Sequence, residues 1–371
     1  MAQTHRSLLL TTGGTIAGEV ASDRIEEEVK RTAEEFTKIL APTVSYLHRT
    51  LHLDIDVHPE RVCKKDSSDI LPIDWTDISS RIKKSYDDFD SFIVTHGTNT
   101  LGYTCAALSF ALANPKKPII LTGSQVPAGV PGSDALVNLE NAVRLAVWKR
   151  EDGPPIKGVM VVFGSHIITG TRVKKETEFD YDAFKSFSTG SLGRIGRIIN
   201  MNNANLEKHN SYLKTGLWPE ASTAKDLRCV NQFDMRIASL TEFPGMSSDI
   251  FATLVEHNDI RGFILRAFGA GDPCTKHLSA FEYLKSKEIP LVVTTQAPSG
   301  NSNFQVNEPG KILKDKELAI PAYDMSIESQ TVKLAWLLAK RNRGEITYKG
   351  ICEEMIHDLH GEINPMFEAG V

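Results

Sequence analysis

Residues 91–100 read SFIVTHGTNT, a short apolar and β-rich run that stops abruptly in a cluster of small polar residues. Such a run, bounded by turn residues, is typical of a strand buried on both faces of a parallel sheet. Five further runs share the pattern: SLLLTTGGT (7–15), PIILTGSQVP (118–127), GVMVVFGSH (158–166), GFILRAFGAG (262–271) and PLVVTTQAPSG (290–300). The sequence therefore predicts several buried parallel strands, each ending in a polar loop.

Segments with helical spacing lie between these runs. They are EEEVKRTAEEFTKIL (26–40), WTDISSRIKKSY (75–86), LGYTCAALSFALAN (101–114), DALVNLENAVRLAVWKR (134–150) and HLSAFEYLKSKE (277–288), and ESQTVKLAWLLAKRN (328–342) follows as a predicted core helix. The alternation of strands and helices is typical of βα units with right-handed crossovers. We therefore predict an α/β fold with a doubly wound, mostly parallel sheet.

The length of 371 residues predicts two domains, because a single core stops growing at smaller sizes. A composition shift follows Ile199, where residues 201–232 are rich in polar side chains and show no convincing periodicity. We expect a first domain at residues 1–205, a linker at 206–234 and a second domain at 235–371.

Charge and cysteine use exclude several classes of protein. A formal net charge of −5 provides no basic field for nucleic acid. The five cysteines are scattered singly without a CxxC pair, which favours a reducing compartment. The N-terminal apolar stretch is too short for a signal peptide, and no later segment approaches a membrane span. We expect a cytoplasmic protein without nucleic-acid or membrane partners.

The residues just after each apolar run are the first candidates for function, because ligands of open parallel sheets bind outside the carboxyl ends of the strands. After the first run, the paired glycines Gly13 and Gly14 let the backbone turn sharply and bring its N–H groups close to a ligand. Thr15 stands exposed at this predicted turn as a candidate nucleophile. The alternative is a plain βα turn in which Thr15 caps the following helix.

A second cluster, THGTNT (95–100), combines hydroxyl groups with the predicted start of a helix. The free N–H groups of a helix N-terminus can hold a carboxylate or a developing oxyanion, which makes Gly97, Thr98 and Asn99 candidate site residues. The alternative is that Asn99 or Thr100 only caps the helix.

Lys175 follows the strand GVMVVF (158–163) and is a candidate base. A lysine accepts a proton from a hydroxyl only in its neutral form, which burial or neighbouring groups must favour. The alternative is a solvated charge run made of Lys174, Lys175 and Glu176, and nothing local separates the two lysines.

Motifs for cofactors are missing from the sequence. GGTIAG (13–18) lacks both the GxGxxG spacing of a dinucleotide site and the GK[ST] of a P-loop. No HExxH or close His/Asp cluster predicts a metal, and no GxSxG predicts a serine hydrolase. We expect neither a metal nor an organic cofactor.

The segments TTGGTIAG (11–18) and THGTNT (95–100) resemble the two signatures of the bacterial-type L-asparaginases, most closely the cytoplasmic type I branch. Further resembling segments run along most of the chain: DSSDILPIDW (66–75), PIILTGSQVP (118–127), SDALVNLENAV (133–143), GTRVKKETEFDYDAF (170–184), FPGMSSDI (243–250) and AYDMSIESQTVKL (322–334). The resemblance implies a larger N-terminal and a smaller C-terminal α/β domain, assembled as a homodimer or homotetramer.

The same resemblance implies roles for individual residues. It makes Thr15 the nucleophile that attacks the side-chain amide of asparagine, Thr98 the second catalytic threonine and Lys175 the lysine beside it. An acyl-enzyme forms, ammonia leaves, and water completes the hydrolysis. The resemblance also implies which residues bind the α-amino and α-carboxyl groups of the substrate: Asp66, Ser67, Ser68, Gly97 and Asn99.

Two positions depart from the family pattern. Asn99 stands where the family normally has an aspartate that binds the α-ammonium group, and no tyrosine occurs between Gly18 and Tyr46. These departures keep three alternatives open: an amidase for another small carboxamide, a non-catalytic amino-acid sensor, and the amidase subunit of the archaeal tRNA-dependent amidotransferase. For that subunit we expect an additional N-terminal domain, for which the position of Thr15 leaves no room.

Overall fold

The computed structural model describes residues 4–14, 18–20, 28–30, 33–149, 156–215 and 227–368. Contacts divide the chain into two compact units. Unit 1 comprises Met1–Ser186 and Gly190–Asn231, and unit 2 comprises Phe187–Thr189 and Gln232–Val371. The domain limits at residues 205 and 235 stay a prediction.

Among the described residues, unit 1 contains fourteen strands, five α-helices and two short 3-10 helices, Ser67–Asp69 and Gly170–Arg172. The strands are β1 His5–Gly13, β2 Gly18–Val20, β3 Glu28–Lys30, β4 Ile55–Lys65, β5 Ser91–Thr95, β6 Leu112–Ala113, β7 Pro118–Thr122, β8 Gly158–Phe163, β9 His166–Thr169, β10 Val173–Lys175, β11 Phe184–Ser186, β12 Gly193–Ile195, β13 Ile199–Met201 and β14 Arg228–Cys229. The helices are α1 Ala33–Leu51, α2 Pro72–Lys84, α3 Leu101–Ala111, α4 Ala135–Ala146 and α5 Asn203–Thr215.

Eight of these strands form one mixed sheet in the order β13-β12-β9-β8-β7-β5-β1-β4. The pairs from β4 to β8 are parallel, whereas β9, β12 and β13 add an antiparallel edge. The chain runs from β1 to β4 on one side and then to β5 on the other side. The strand order therefore reverses between β1 and β5, the kind of position at which open α/β sheets bind ligands.

Burial explains why the apolar runs form the middle of this sheet. Every residue of β5, β7 and β8 is buried, as expected for strands covered on both faces. Helix α3 is buried along nearly its whole length, which leaves Cys105 as a core residue. The predicted doubly wound sheet is confirmed.

Two sequence-based expectations differ from the structure. The spacing in residues 26–40 predicts one helix, but residues 28–30 form β3, which pairs with β2, and α1 begins only at Ala33. This pairing joins segments that are separate in sequence, so local composition does not indicate it. The segment expected to be an aperiodic linker includes α5, although its composition is largely polar.

Unit 2 is a smaller α/β body. Its strands are β15 Ile237–Thr241, β16 Gly262–Ala267, β17 Leu291–Thr295 and β18 Ile320–Pro321, paired in this order as a parallel sheet. Its helices are α6 Asp249–Asn258, α7 Leu278–Ser286, α8 Glu308–Asp315, α9 Ile327–Asn342, α10 Tyr348–Ile356 and α11 Pro365–Glu368. Helix α9 is buried around Leu334 and Trp336, which confirms it as a core helix. Of the helices described, none is long and apolar enough to cross a membrane.

Candidate active site

The candidate site lies where β1, β4 and β5 end, at the point where the strand order reverses. Thr11 of β1 pairs with Thr95 of β5, and Gly13 pairs with Lys65 of β4. Because these strands are parallel, their carboxyl ends open at the same edge of the sheet, although the register of β1 against β4 shifts between Thr11 and Gly13. The loops that follow the three strands therefore meet there.

Glycines allow these loops to approach closely. Gly14 has φ of +76°, and a Cβ added to it would lie 2.5 Å from the backbone nitrogen of Gly97. A Cβ on Gly97 would in turn lie 2.6 Å from Ser67 Oγ. The three loops thus contact one another at positions that exclude any side chain. Thr15, the predicted nucleophile, lies outside the described residues.

Thr98 and Lys175 contact each other directly. Lys175 Nζ lies 2.9 Å from Thr98 Oγ1, and Thr98 is buried. Lys175 ends β10, in which Lys174 pairs with Lys185 and Lys175 with Phe184. Because successive side chains of a strand point to opposite faces, the strand directs Lys175 and not Lys174 toward Thr98.

Two further acceptors surround the Lys175 amine. Asn99 Oδ1 lies 3.3 Å from Nζ, and Glu178 Oε2 lies 2.8 Å from it. The lysine side chain is only 14% exposed, whereas that of Glu178 is 69% exposed. Sequence reasoning missed Glu178. Its signal is a carboxylate three residues after the lysine, just beyond the charge run that ends at Glu176.

The turn at Asp66–Ser68 is tied to the start of α3. Asn99 Nδ2 donates to Ser68 Oγ at 3.1 Å, and the Asn99 backbone N–H donates to Ser67 Oγ at 3.2 Å. Asp66 Oδ1 accepts from the Ser68 N–H at 2.8 Å and shapes the turn. Thr100 occupies the N-cap position of α3, but its hydroxyl donates to the Ser67 carbonyl instead of capping the helix.

The structure therefore brings most of the sequence-predicted site residues to one place. They are Asp66, Ser67, Ser68, Gly97, Thr98, Asn99 and Lys175.

His96 supports the loop that carries Thr98. Its ring lies between the Gly97 carbonyl, 2.7 Å from Nδ1, and the Thr104 hydroxyl, 2.9 Å from Nε2. The carbonyl can only accept, so Nδ1 carries the proton and Nε2 accepts from Thr104, whose oxygen also accepts from Trp75 Nε1 at 3.0 Å. Burial lowers the pKa of His96 to about 4. This histidine is therefore neutral and structural.

A hydroxyl within hydrogen-bond reach of a lysine amine, which is itself oriented by a third group, is the arrangement of an activated nucleophile or a proton relay. In the parts of the chain that the structure covers, no group of three His, Cys, Asp or Glu residues is arranged to hold a metal ion. Fold and site together are typical of an enzyme that activates a hydroxyl group for chemistry.

Comparison with protein-family models identifies the family to which the chain belongs. The family model described as "Asparaginase, N-terminal" matches residues 6–207, and the model described as "Glutaminase/Asparaginase C-terminal domain" matches residues 236–347. The chain belongs to the asparaginase family and is an amidohydrolase of that type. The resemblance drawn from the sequence is confirmed.

Individual relatives match along nearly the whole chain. L-asparaginase 1 of Escherichia coli K12 is 31% identical over 357 residues, which cover 95% of this chain and 96% of the relative. The thermostable L-asparaginase of Thermococcus kodakarensis has a solved structure with a TM-score of 0.78 and 28% identity, covering 97% of this chain and 99% of the other. A glutamyl-tRNA(Gln) amidotransferase subunit of Saccharolobus solfataricus is 28% identical, covering 96% of this chain and 76% of the relative.

Proposed function

We propose that this protein hydrolyses L-asparagine to L-aspartate and ammonia through a threonine acyl-enzyme. The observation that carries the proposal is the 2.9 Å contact between Lys175 Nζ and Thr98 Oγ1 at the end of β5. Membership of the asparaginase family and two relatives that are named L-asparaginases support asparagine as the substrate.

In this mechanism Thr15 attacks the side-chain amide carbon of the substrate. Its proton passes to the Thr98 oxygen while the Thr98 proton passes to Lys175 Nζ. The proton returns along the same route to the leaving nitrogen, which departs as ammonia, and water then hydrolyses the ester on Thr15. Gly14 precedes Thr15 in the sequence and lies against Gly97, next to Thr98, which supports a joint role of the two threonines.

The substrate head group is assigned to the turn that contacts Asn99. The side chains of Asp66, Ser67 and Ser68, with the backbone at Gly97, offer hydroxyl and carboxylate groups for an α-ammonium and an α-carboxylate. Asn99 contributes a neutral amide, so its contact with an α-ammonium lacks the charge-assisted part, worth about 1 kcal/mol or more.

Ammonia release from asparagine, glutamine and a panel of small carboxamides tests the substrate. We expect asparagine to give the highest kcat/KM. A maximum on another amide would favour the broader amidase. No ammonia from any amide, together with saturable binding of asparagine, would favour the sensor. Glutamyl-tRNA should not stimulate the reaction, in contrast to an amidotransferase subunit.

The nucleophile is tested by Thr15→Val, which keeps the shape of the side chain and removes the hydroxyl. We expect the variant to bind asparagine and to lose turnover by about a thousandfold or more, because the covalent route is gone. The matched control is Thr11→Val, since Thr11 lies inside β1. A kcat equal to that of the parent would exclude Thr15 as the nucleophile.

We further propose that the protein acts in the cytoplasm as a homodimer or homotetramer without a cofactor. All five cysteines are free thiols, which suits a reducing compartment. Light scattering on the purified protein measures the assembly, and turnover after dialysis against a chelator measures any metal requirement.

A further inference from the structure

Among the residues that the structure describes, Lys175 Nζ has three acceptors, of which two are neutral: the Thr98 hydroxyl and the Asn99 amide oxygen. The charged one is Glu178, whose Oε2 lies 2.8 Å from Nζ. We propose that Glu178 is the positioning residue that orients Lys175 and supplies the negative charge for proton transfer with Thr98. The inference rests on the proposed function and adds a residue to it.

Counting donors shows what the carboxylate does. A lysine ammonium has three N–H donors, which match the three acceptors. A neutral amine has two N–H donors and one lone pair. If Asn99 Oδ1 and Glu178 Oε2 take the two donors, the lone pair faces Thr98 Oγ1. The same geometry therefore suits both protonation states, and the proton moves without rotation of the amine.

The negative charge of Glu178 affects the proton transfer from Thr98 to Lys175. When the Thr98 hydroxyl gives its proton to Nζ, the amine becomes an ammonium and the Thr98 oxygen receives the proton of the attacking hydroxyl. A carboxylate at 2.8 Å stabilises the ammonium as it forms, whereas the amide of Asn99 contributes only a dipole.

The loop that carries Glu178 is anchored independently of its carboxylate. The Glu176 N–H donates to the Ala183 carbonyl at 2.8 Å, and the Phe179 N–H donates to Thr177 Oγ1 at 3.1 Å. Asp182 accepts from the Ser165 N–H and hydroxyl at 2.6 and 2.9 Å. Removing the charge of Glu178, which is exposed, should therefore leave folding unchanged.

The test is a double-mutant cycle with Glu178→Gln and Asn99→Asp. We expect Glu178→Gln to lower kcat about tenfold, with KM within about twofold and the melting temperature unchanged. The control Glu176→Gln removes the same charge from the same loop and should match the parent. Because position 99 also contacts Nζ, a carboxylate placed there should serve the lysine in place of Glu178. The variant Asn99→Asp/Glu178→Gln should therefore recover most of the lost kcat.

That recovery separates positioning from a structural role, since a carboxylate at position 99 cannot repair a loop around residue 178. The proposal is overturned if Glu178→Gln keeps the parental kcat, if it raises KM alone, or if the double variant is no better than Glu178→Gln. The cycle is run on whichever amide the parent hydrolyses, so a failure on asparagine does not decide it.

If the parent hydrolyses no amide, the proposed function fails and a second readout still tests Glu178. Trinitrobenzenesulfonate reacts with neutral amines, and peptide mass spectrometry reports its rate at each lysine. We expect labelling of Lys175 to rise severalfold in Glu178→Gln and to fall back in the double variant, because the carboxylate that holds the Lys175 amine is lost in the first variant and replaced from position 99 in the second. Lys174 serves as the internal control. Equal labelling of Lys175 in the parent and in Glu178→Gln overturns the proposal.

Discussion

Each unit contains a lysine paired with a glutamate at nearly the same distance. Lys175 Nζ lies 2.8 Å from Glu178 Oε2 in unit 1, and Lys333 Nζ lies 2.7 Å from Glu362 Oε1 in unit 2. The first pair is 14% and 69% exposed, and the second is fully buried at both ends. The two pairs share their chemistry and differ in their surroundings.

The surroundings of Lys333 account for a structural role. Its amine also donates to the carbonyls of Met355 and His357, so its three N–H donors are all used. Glu362 accepts in addition from the N–H groups of Leu359 and His360. Burial raises the pKa of Glu362, but Lys333 and the other neighbours outweigh burial and lower it to about 2.

The difference teaches what makes a lysine available for chemistry. The Lys333 amine donates to a carboxylate and to two backbone carbonyls, and none of these three partners is a hydroxyl. At Lys175 one partner is a hydroxyl, which can both give and accept a proton, and the pair is open on its carboxylate side. A lysine–carboxylate contact is therefore informative only together with its third partner and its burial.

The largest expected effect is on turnover at the open pair. Lys175→Met should lower kcat/KM by about 100- to 10,000-fold, the range of a lost general base, without lowering the melting temperature. Lys174→Met is the matched control and should stay close to the parent, because β10 points that side chain away from Thr98. Steady-state kinetics of both variants decide the point. A larger loss in Lys174→Met would contradict the assignment of the base.

The next effect is on folding at the closed pair. Lys333→Met leaves the Glu362 carboxylate buried without its counter-charge, which should cost about 3–5 kcal/mol of unfolding free energy. Turnover per folded molecule should not change. Guanidinium unfolding measures the cost. The double variant Lys333→Met/Glu362→Gln should regain part of it, because the glutamine oxygen still accepts from the backbone and carries no charge. An unchanged unfolding midpoint in Lys333→Met would show that the buried pair contributes no more to the unfolding free energy than the open pair.

A smaller effect concerns pH. Burial lowers the pKa of His96 in the folded state to about 4 from its ordinary value of 6.5. A lowered histidine pKa adds stability above pH 6.5, and this stability is lost as the pH falls from 6.5 to 4. The contribution is roughly 3 kcal/mol. Unfolding curves at about pH 7 and about pH 4.5 should therefore differ more in the parent than in His96→Gln. Parallel losses in the two proteins would rule out His96 as the titrating group.

The smallest effect is on substrate binding beside the open pair. Asn99→Asp should lower KM for asparagine about fivefold, because a carboxylate forms a charge-assisted bond with the α-ammonium. If the site instead takes a substrate without a free α-amino group, the new charge would be unpaired and activity on that substrate should fall. Steady-state kinetics on asparagine and on an α-N-acylated analogue distinguish the two cases. A lower KM for asparagine supports the first case, and a loss of activity on the analogue without a lower KM for asparagine supports the second.

The fold class and the location of the site are predictable from the sequence alone. Apolar runs that end in glycine and hydroxyl residues are a local signal, because burial on both faces of a sheet demands them and the loops that follow must meet at one edge. The same signal indicates Gly97, Thr98 and Asn99 as site residues. Their roles in catalysis and binding stay predictions, as does that of Thr15.

The family resemblance implied that Lys175 lies beside Thr98, whereas the contact itself and the groups that hold the lysine there were decided by the tertiary structure. By spacing, Lys174 and Lys175 are equivalent, and only the pairing of β10 with β11 fixes the face that each occupies. In the sequence, Glu178 follows a charge run and is not marked as a site residue, and His96 is an isolated histidine. Their partners lie within eight residues along the chain, Lys175 for Glu178 and both Gly97 and Thr104 for His96. Local composition does not reveal these contacts because it carries no information about how the backbone turns between the two side chains.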